Sequence, residues 1–160
     1  MDIIRCRSDF AAILDIINSA AAAYRGVIPQ DCWHEPYMAA AELQREVAAG
    51  VEFRGAQIEG ELAGVMGLQS AGEVDLIRHA YVLPGQQRRG IGAGLIEHLK
   101  SSSSRRMLVG TWSAAQWAVD FYRRHGFVLV PQIDAMRLLR AHWDIKDRQI
   151  ETSVVLVLER

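Results

Sequence analysis

The sequence predicts an α/β (α+β) domain in which a mixed sheet is covered by helices. Three observations predict it. Segments of helical and strand periodicity follow one another in the order β-α-α-β-β-β-α-β-α-β-(α)-β. Glu59-Gly60 fits a tight hairpin turn between the first two of three successive strands, and Ser70-Ala71-Gly72 a short turn before the third. A later strand feeds a glycine-rich turn and a helix, the crossover form that puts ligand sites at strand ends. At 160 residues, half of them apolar, the chain is expected to form one domain, 1–160, with a real core.

The elements follow in order. Asp2 to Arg7 reads as a short strand. Ser8 or Asp9 can then cap a helix through Ala23, with Ala11, Ile13, Leu14, Ile16, Ile17 and Ala20 on its apolar face. Gly26 and Pro29 end it. Gln30 to Pro36 is a loop, and a second helix is expected from Tyr37 or Met38 to Ala48, stopped by Gly50. Strands follow at Val51 to Ile58, Glu61 to Gln69 and Glu73 to Leu83. The next helix runs from about Gly90 to Leu99, then a strand from Arg106 to Gly110. Ser113 can cap a helix reaching Arg124, which Gly126 stops. Phe127 to Val130 is a strand broken by Pro131, Ile133 to Trp143 has helical spacing, and Ser153 to Leu158 is strongly β-forming.

Composition excludes several classes. Net charge is −1, so nothing steers the chain as a whole toward nucleic acid or an anionic membrane. Its two cysteines, Cys6 and Cys32, give neither metal-ligand spacing nor a disulfide framework, and no metal is expected. The N-terminus has no secretion-signal pattern and no apolar run is long enough for a bilayer, so a cytoplasmic protein is the expectation.

The run Pro84-Gly85-Gln86-Gln87-Arg88-Arg89-Gly90-Ile91-Gly92-Ala93-Gly94 carries the chemistry. A glycine-rich turn opening a helix aims several backbone N–H groups at one anion, and the helix N-terminus adds its positive end. The turn lacks the Gly-Lys-Ser/Thr ending of a P-loop and makes a poor dinucleotide fingerprint.

Gln87-Arg88-Arg89-Gly90-Ile91-Gly92 resembles the pyrophosphate-binding signature Gln/Arg-x-x-Gly-x-Gly/Ala of the GNAT superfamily of acyl-CoA-dependent N-acyltransferases. One helix and one strand later, Ala115 to Phe127 resembles that superfamily's second signature, Asn-x-x-Ala-x-x-Phe-Tyr-x-x-x-Gly-Phe, with Ala118, Phe121, Tyr122, Gly126 and Phe127 in place and Ala115 where the Asn is usual. The resemblance implies a three-layer arrangement: a mixed, mostly antiparallel sheet flanked by helices, with two splayed parallel strands at its centre. It implies acetyl-CoA as cofactor, lying between the strand that ends near Leu83 and the strand Arg106 to Gly110. Backbone of Ala80, Tyr81 and Val82 would pair with the pantetheine arm. N–H groups from Arg88 through Ala93 (Arg88, Arg89, Gly90, Ile91, Gly92, Ala93) would hold the pyrophosphate, with Gln87, Ala115, Ala118 and Tyr122 completing the cofactor site.

Acetyl transfer to an amine needs a neutral amine, a stabilised oxyanion and a proton for the leaving thiolate. The resemblance makes Tyr122 the candidate general acid and a backbone N–H near Val82 the oxyanion donor. For the base, strand alternation places Glu73, Asp75 and His79 on one face and Arg78 on the other, unless a bulge intervenes. His79 and a water chain are the first candidates, Asp75 and Glu73 the next. Neither cysteine has a partner that would activate it as a nucleophile.

On the acceptor side the candidates are Tyr24, Trp33, His34, Glu35 and Tyr37, together with Asp31; aromatics with carboxylates suit a cationic amine, and equally suit a loop that anchors helix to sheet. The segment Arg137 to Trp143 can cross the pocket mouth, cover a sheet edge or meet a second copy in a homodimer. A small-molecule amine is the leading acceptor. The alternatives are a protein or peptide acceptor and a catalytically silent acyl-CoA-binding module.

Overall fold

The structure, a computed structural model, describes residues 1–160. Seven strands form one sheet: β1 (Asp2–Arg5), β2 (Glu52–Ile58), β3 (Glu61–Ala71), β4 (Val74–Val82), β5 (Arg106–Trp112), β6 (Val128–Leu129) and β7 (Ser153–Leu158), in the order β1-β2-β3-β4-β5-β7-β6. Only β4 and β5 are parallel neighbours; every other pair is antiparallel. The closing strand β7 pairs with β5 and β6 of its own chain.

Six α-helices cover the sheet: α1 (Phe10–Ala21), α2 (Ala40–Ala48), α3 (Ile91–Ser102), α4 (Gln116–Arg124), α5 (Gln132–His142) and the short α6 (Asp147–Glu151). Each strand serves both layers by alternation. On β5, Met107 and Val109 pack toward α3 and α4, with Leu95, Leu99, Val119 and Phe127, while Leu108 packs toward α5 with Leu139 and Val155. Ile13, Ile16 and Ile17 of α1 and Leu43 of α2 close on Phe53 and Val65. Each fully buried aliphatic side chain contributes about 1.5–3 kcal/mol of transfer free energy.

Most elements begin or end within a few residues of the sequence expectation, and two of the shifts have a clear local cause. The second helix starts at Ala40, because the backbone of Met38 is held outside it: the Asn18 amide donates to the Met38 carbonyl at 3.0 Å and accepts the Met38 N–H at 2.8 Å. Glu73 is not part of its strand; Gly72, at φ +65°, makes a turn with it and β4 begins at Val74.

Strand β4 contains a bulge. Gly67 pairs with Arg78 and Val65 with Tyr81, so His79 and Ala80 together oppose the single residue Met66. His79 has φ +49°, the left-handed region rarely adopted by a residue with a side chain. The extra residue inverts the alternation beyond it. Leu76 faces the α5 side and Ile77 the α3 side, but Ala80 and Val82 pack with the α3 cluster and Tyr81 with the α1 cluster. Pairing of β4 with β5 stops at Ile77 and Val109. Past that point the two parallel strands diverge and leave a gap in the sheet.

Candidate active site

Two hollows meet at the gap. The first is a groove of about 460 Å³ on the α3–α4 side, reaching from the gap to the glycine turn. The second is a smaller cleft of about 190 Å³ bounded by α2, the 30s loop and the segment after α5. Tyr24, Ala80, Tyr81, Ala118 and Tyr122 line both, and so form the neck between them.

The turn before α3 is built for an anion. Arg88 and Gly90 are left-handed, at φ +61° and +77°, and no side chain caps the helix. The N–H groups of Arg88, Arg89, Gly90, Ile91, Gly92 and Ala93 have no acceptor within the protein. Uncapped donors at a helix N-terminus, beside alternating left-handed residues, make a concave anion site. A pyrophosphate fits these residues. Arg88 lines the groove, whereas Arg89 turns its guanidinium to Gln86 and does not. Gln87, Gly90, Ile91, Gly92 and Ala93 line it too. Gly92 serves packing as well: a Cβ there would lie 3.3 Å from the Phe121 ring.

Tyr122 is buried, 6 % exposed, with its ring edge-on to Phe121 and Phe127, and its phenol has no hydrogen-bond partner in the protein. Burial pushes that phenol well above its ordinary range, and the neighbouring Tyr24 hydroxyl adds to the effect. It therefore stays protonated across the neutral range. Ala118 lines the neck beside it, but Ala115 does not reach the groove; its side chain is fully buried against Trp112 and Ile28, and α4 begins with no side-chain cap.

Tyrosines wall the neck. Burial raises the Tyr24 phenol, and its ring stands edge-on to Tyr81 with centroids 6.3 Å apart. Tyr37 accepts a hydrogen bond from the Trp112 indole at 2.8 Å, and burial pushes its phenol up to about 12. Burial raises Tyr81 well above the ordinary value, reinforced by Tyr24 and Tyr37.

The other sequence candidates separate. His79, His34, Tyr24 and Tyr37 line the cleft. Trp33 stands behind it, stacked on Tyr37 and with the Arg25 guanidinium over its ring, 5.3 Å from the centroid, and Glu35 turns outward to pair with Arg25. Asp31 pairs with Arg148 on the surface. Asp75 and Glu73 lie at the opposite end of β4. Asp75 is buried and accepts hydrogen bonds from Ser70 at 2.9 Å and Ser103 at 2.6 Å, an anchor for the end of α3. Glu73 is exposed in its turn. Because of the bulge His79 does not share the face of Asp75; it lies beside Arg78 and stacks on Phe53.

The sequence reading missed Glu42 and Glu46 of α2, Thr111 and Trp112 of β5, and Asp144 and Ile145, all of which line the cleft; Trp143, the end of the segment expected at the pocket mouth, lines it too. The spacing of Glu42 and Glu46 about the buried Leu43 was a usable signal, since residues four apart share a helix face.

The family model of the acetyltransferase (GNAT) domain matches residues 18–137. The chain belongs to this family. Solved structures of similar fold include PaiA N-acetyltransferase from Thermoplasma acidophilum in complex with coenzyme A, 16% identical, covering 100% of both chains with a TM-score of 0.70. Another is the ribosomal-protein-S18-alanine N-acetyltransferase of Escherichia coli, 16% identical over 98% of this chain and 92% of that one, TM-score 0.71. A third is smu.2055 from Streptococcus mutans, 17% identical over 99% of each, TM-score 0.73. No curated protein matches the sequence. The mostly antiparallel sheet with its one parallel pair, β4–β5, is the fold of a GNAT domain. No helix is long and apolar enough to cross a membrane.

Proposed function

We propose that the protein is an N-acetyltransferase that moves an acetyl group from acetyl-CoA to a primary amine by direct attack in a ternary complex, with a small molecule as acceptor. The observation that carries the reading is Tyr122, a buried and unpartnered phenol at the neck between an anion-binding groove and a separate cleft.

Acetyl-CoA, when bound, supplies an acyl group activated as a thioester. The chain's own residues do the rest. The six free N–H groups and Arg88 hold phosphate charge at the far end of the groove. Tyr122 keeps a proton at its phenol oxygen, where a leaving group needs one. His79 lines the cleft through which the amine arrives, as the candidate to take its proton. The neck brings both partners to one point, and positioning of that kind supplies a large part of such a rate enhancement. The size of the cleft supports a small acceptor: at about 190 Å³ it is below the usual range for drug-sized ligands. Glu42 and Asp144 line it without an ion-pair partner, beside Tyr24, Tyr37 and Trp143, which suits a cationic amine.

A thioester-consumption assay against amino acids, polyamines, aminoglycosides and short peptides tests the reading. Turnover with a small amine is expected. Exchanging Tyr122→Phe should lower kcat about 100-fold while coenzyme A affinity holds within about twofold. Turnover confined to peptides would replace the acceptor class, and tight cofactor binding with no turnover would make the protein a binding module. The Cys32→Ser variant should keep its activity, since direct transfer needs no thiol.

A further inference from the structure

Arg78 and His79, which strict alternation would put on opposite faces, both reach one carboxylate. Glu46 lies 33 residues away in sequence, on α2. One of its oxygens sits 3.1 Å from the Arg78 guanidinium and the other is hydrogen-bonded to His79 Nε2. All three side chains are largely buried, 13–19 % exposed. The bulge creates the arrangement: the left-handed backbone at His79 turns its ring to the Arg78 side, where it stacks on Phe53.

We infer that Glu46 is a positioning residue that fixes His79 as the proton acceptor for the attacking amine, with Arg78 setting the strength of that base. The inference rests on the acetyl-transfer reading above. An ionised carboxylate only accepts, so the proton of the neutral imidazole must sit on Nε2, where it is donated to Glu46. The lone pair is thereby confined to Nδ1, which no protein group engages. In the step, the amine nitrogen bonds to the acyl carbon and its N–H proton passes to Nδ1. The carbon–sulfur bond of the thioester would break, and the departing thiolate would take the Tyr122 proton. The imidazolium, stabilised by Glu46, then releases its proton to solvent, from which Tyr122 is reprotonated.

The charged groups around His79 are Glu46 and, farther along the cleft wall, Glu42 from α2, and Arg78 from its own strand; Phe53 from β2 is apolar, and the Tyr81, Tyr24 and Tyr37 phenols beyond it stay neutral. Two opposite consequences follow. Removing the negative neighbour disfavours the imidazolium, and removing the positive neighbour favours it.

The test is the pH dependence of kcat/KM for the best amine. In Glu46→Gln the acid limb should move down by about one pH unit with kcat reduced about tenfold, and in Arg78→Met the limb should move up. Glu46→Asp, which keeps the charge, should keep the wild-type limb. Long-range proton–nitrogen NMR of the protein without substrate should find the Nε2–H tautomer at His79 and a titration that shifts in the same two directions. A purely structural link between α2 and β4 would lower the melting temperature of both variants and leave the limb where it was, which overturns the assignment, as does an Nδ1–H tautomer. Failure of the wild type to acetylate any amine sinks the acetyl-transfer reading itself, while an active enzyme with an unmoved limb sinks only the role of Glu46 and Arg78.

Discussion

Arg88 and Arg89 are chemically identical neighbours in different surroundings. Arg88 lines the groove in a left-handed conformation without an ion-pair partner, and Arg89 is tied to Gln86 outside it. Arg88→Ala should therefore weaken coenzyme A binding about fivefold to tenfold and Arg89→Ala by less than about twofold, as read by calorimetry. Equal losses would show that both arginines serve the phosphates by charge alone. Single residues were unevenly legible in the sequence. Tyr122 and the glycines could be found because motif spacing is a local property. Glu46 shared a visible helix-face spacing with Glu42, but its contact with His79 was not legible, because it depends on a bulge that no residue type in β4 announces. Asp75 misled for the same reason: nominal alternation joined it to His79, and its two serine donors, Ser70 and Ser103, come from separate parts of the chain.

Among the elements, the start of α3 matters most to function. Gly90 sits at φ +77° with open space where a Cβ would be. A side chain there is strained by about 1–2 kcal/mol and projects where the anion must come. Gly90→Val should abolish measurable coenzyme A binding, whereas the melting temperature should fall by only a few degrees. Loss of folding with the same exchange would point to a structural glycine instead. Hairpins, the crossover and the long helices were legible, since periodicity and Gly-containing turns are strong signals. The start of α2 was not, because Asn18, from another helix, holds Met38 outside it. Nor was α6, whose five residues are too few to show a period.

At the scale of the whole molecule, the cluster that serves the site also ties two layers together. Burial opposes ionisation of Glu46, but the hydrogen bond and charge of His79 and the charge of Arg78 outweigh it and hold its carboxyl below the ordinary 4.5. A carboxylate with a depressed folded value stabilises the fold above its unfolded pKa, and that stability disappears as pH falls through the folded value. Glu46→Gln should cost roughly 1–3 kcal/mol at pH 6. The difference in melting temperature from wild type should shrink as pH falls below the ordinary carboxylate range and through the lowered folded value. A difference that acid leaves unchanged would place its origin in packing.

The seam between β4 and β5 has a mechanical consequence. Four residue pairs, Val74 with Arg106 through Ile77 with Val109, are the only strand pairing between a four-stranded leaf and a three-stranded one. Beyond them, the Trp112 indole of β5 reaches the tyrosine cluster by its bond to Tyr37. A ligand arm lodged in the opening would act as a spline, locking the two leaves against each other. Saturation at 100 times Kd should then raise stability by about 2.7 kcal/mol by mass action. Amide exchange should slow at Ala80 to Val82 and also along β7, a strand of the far leaf that does not pair with β4.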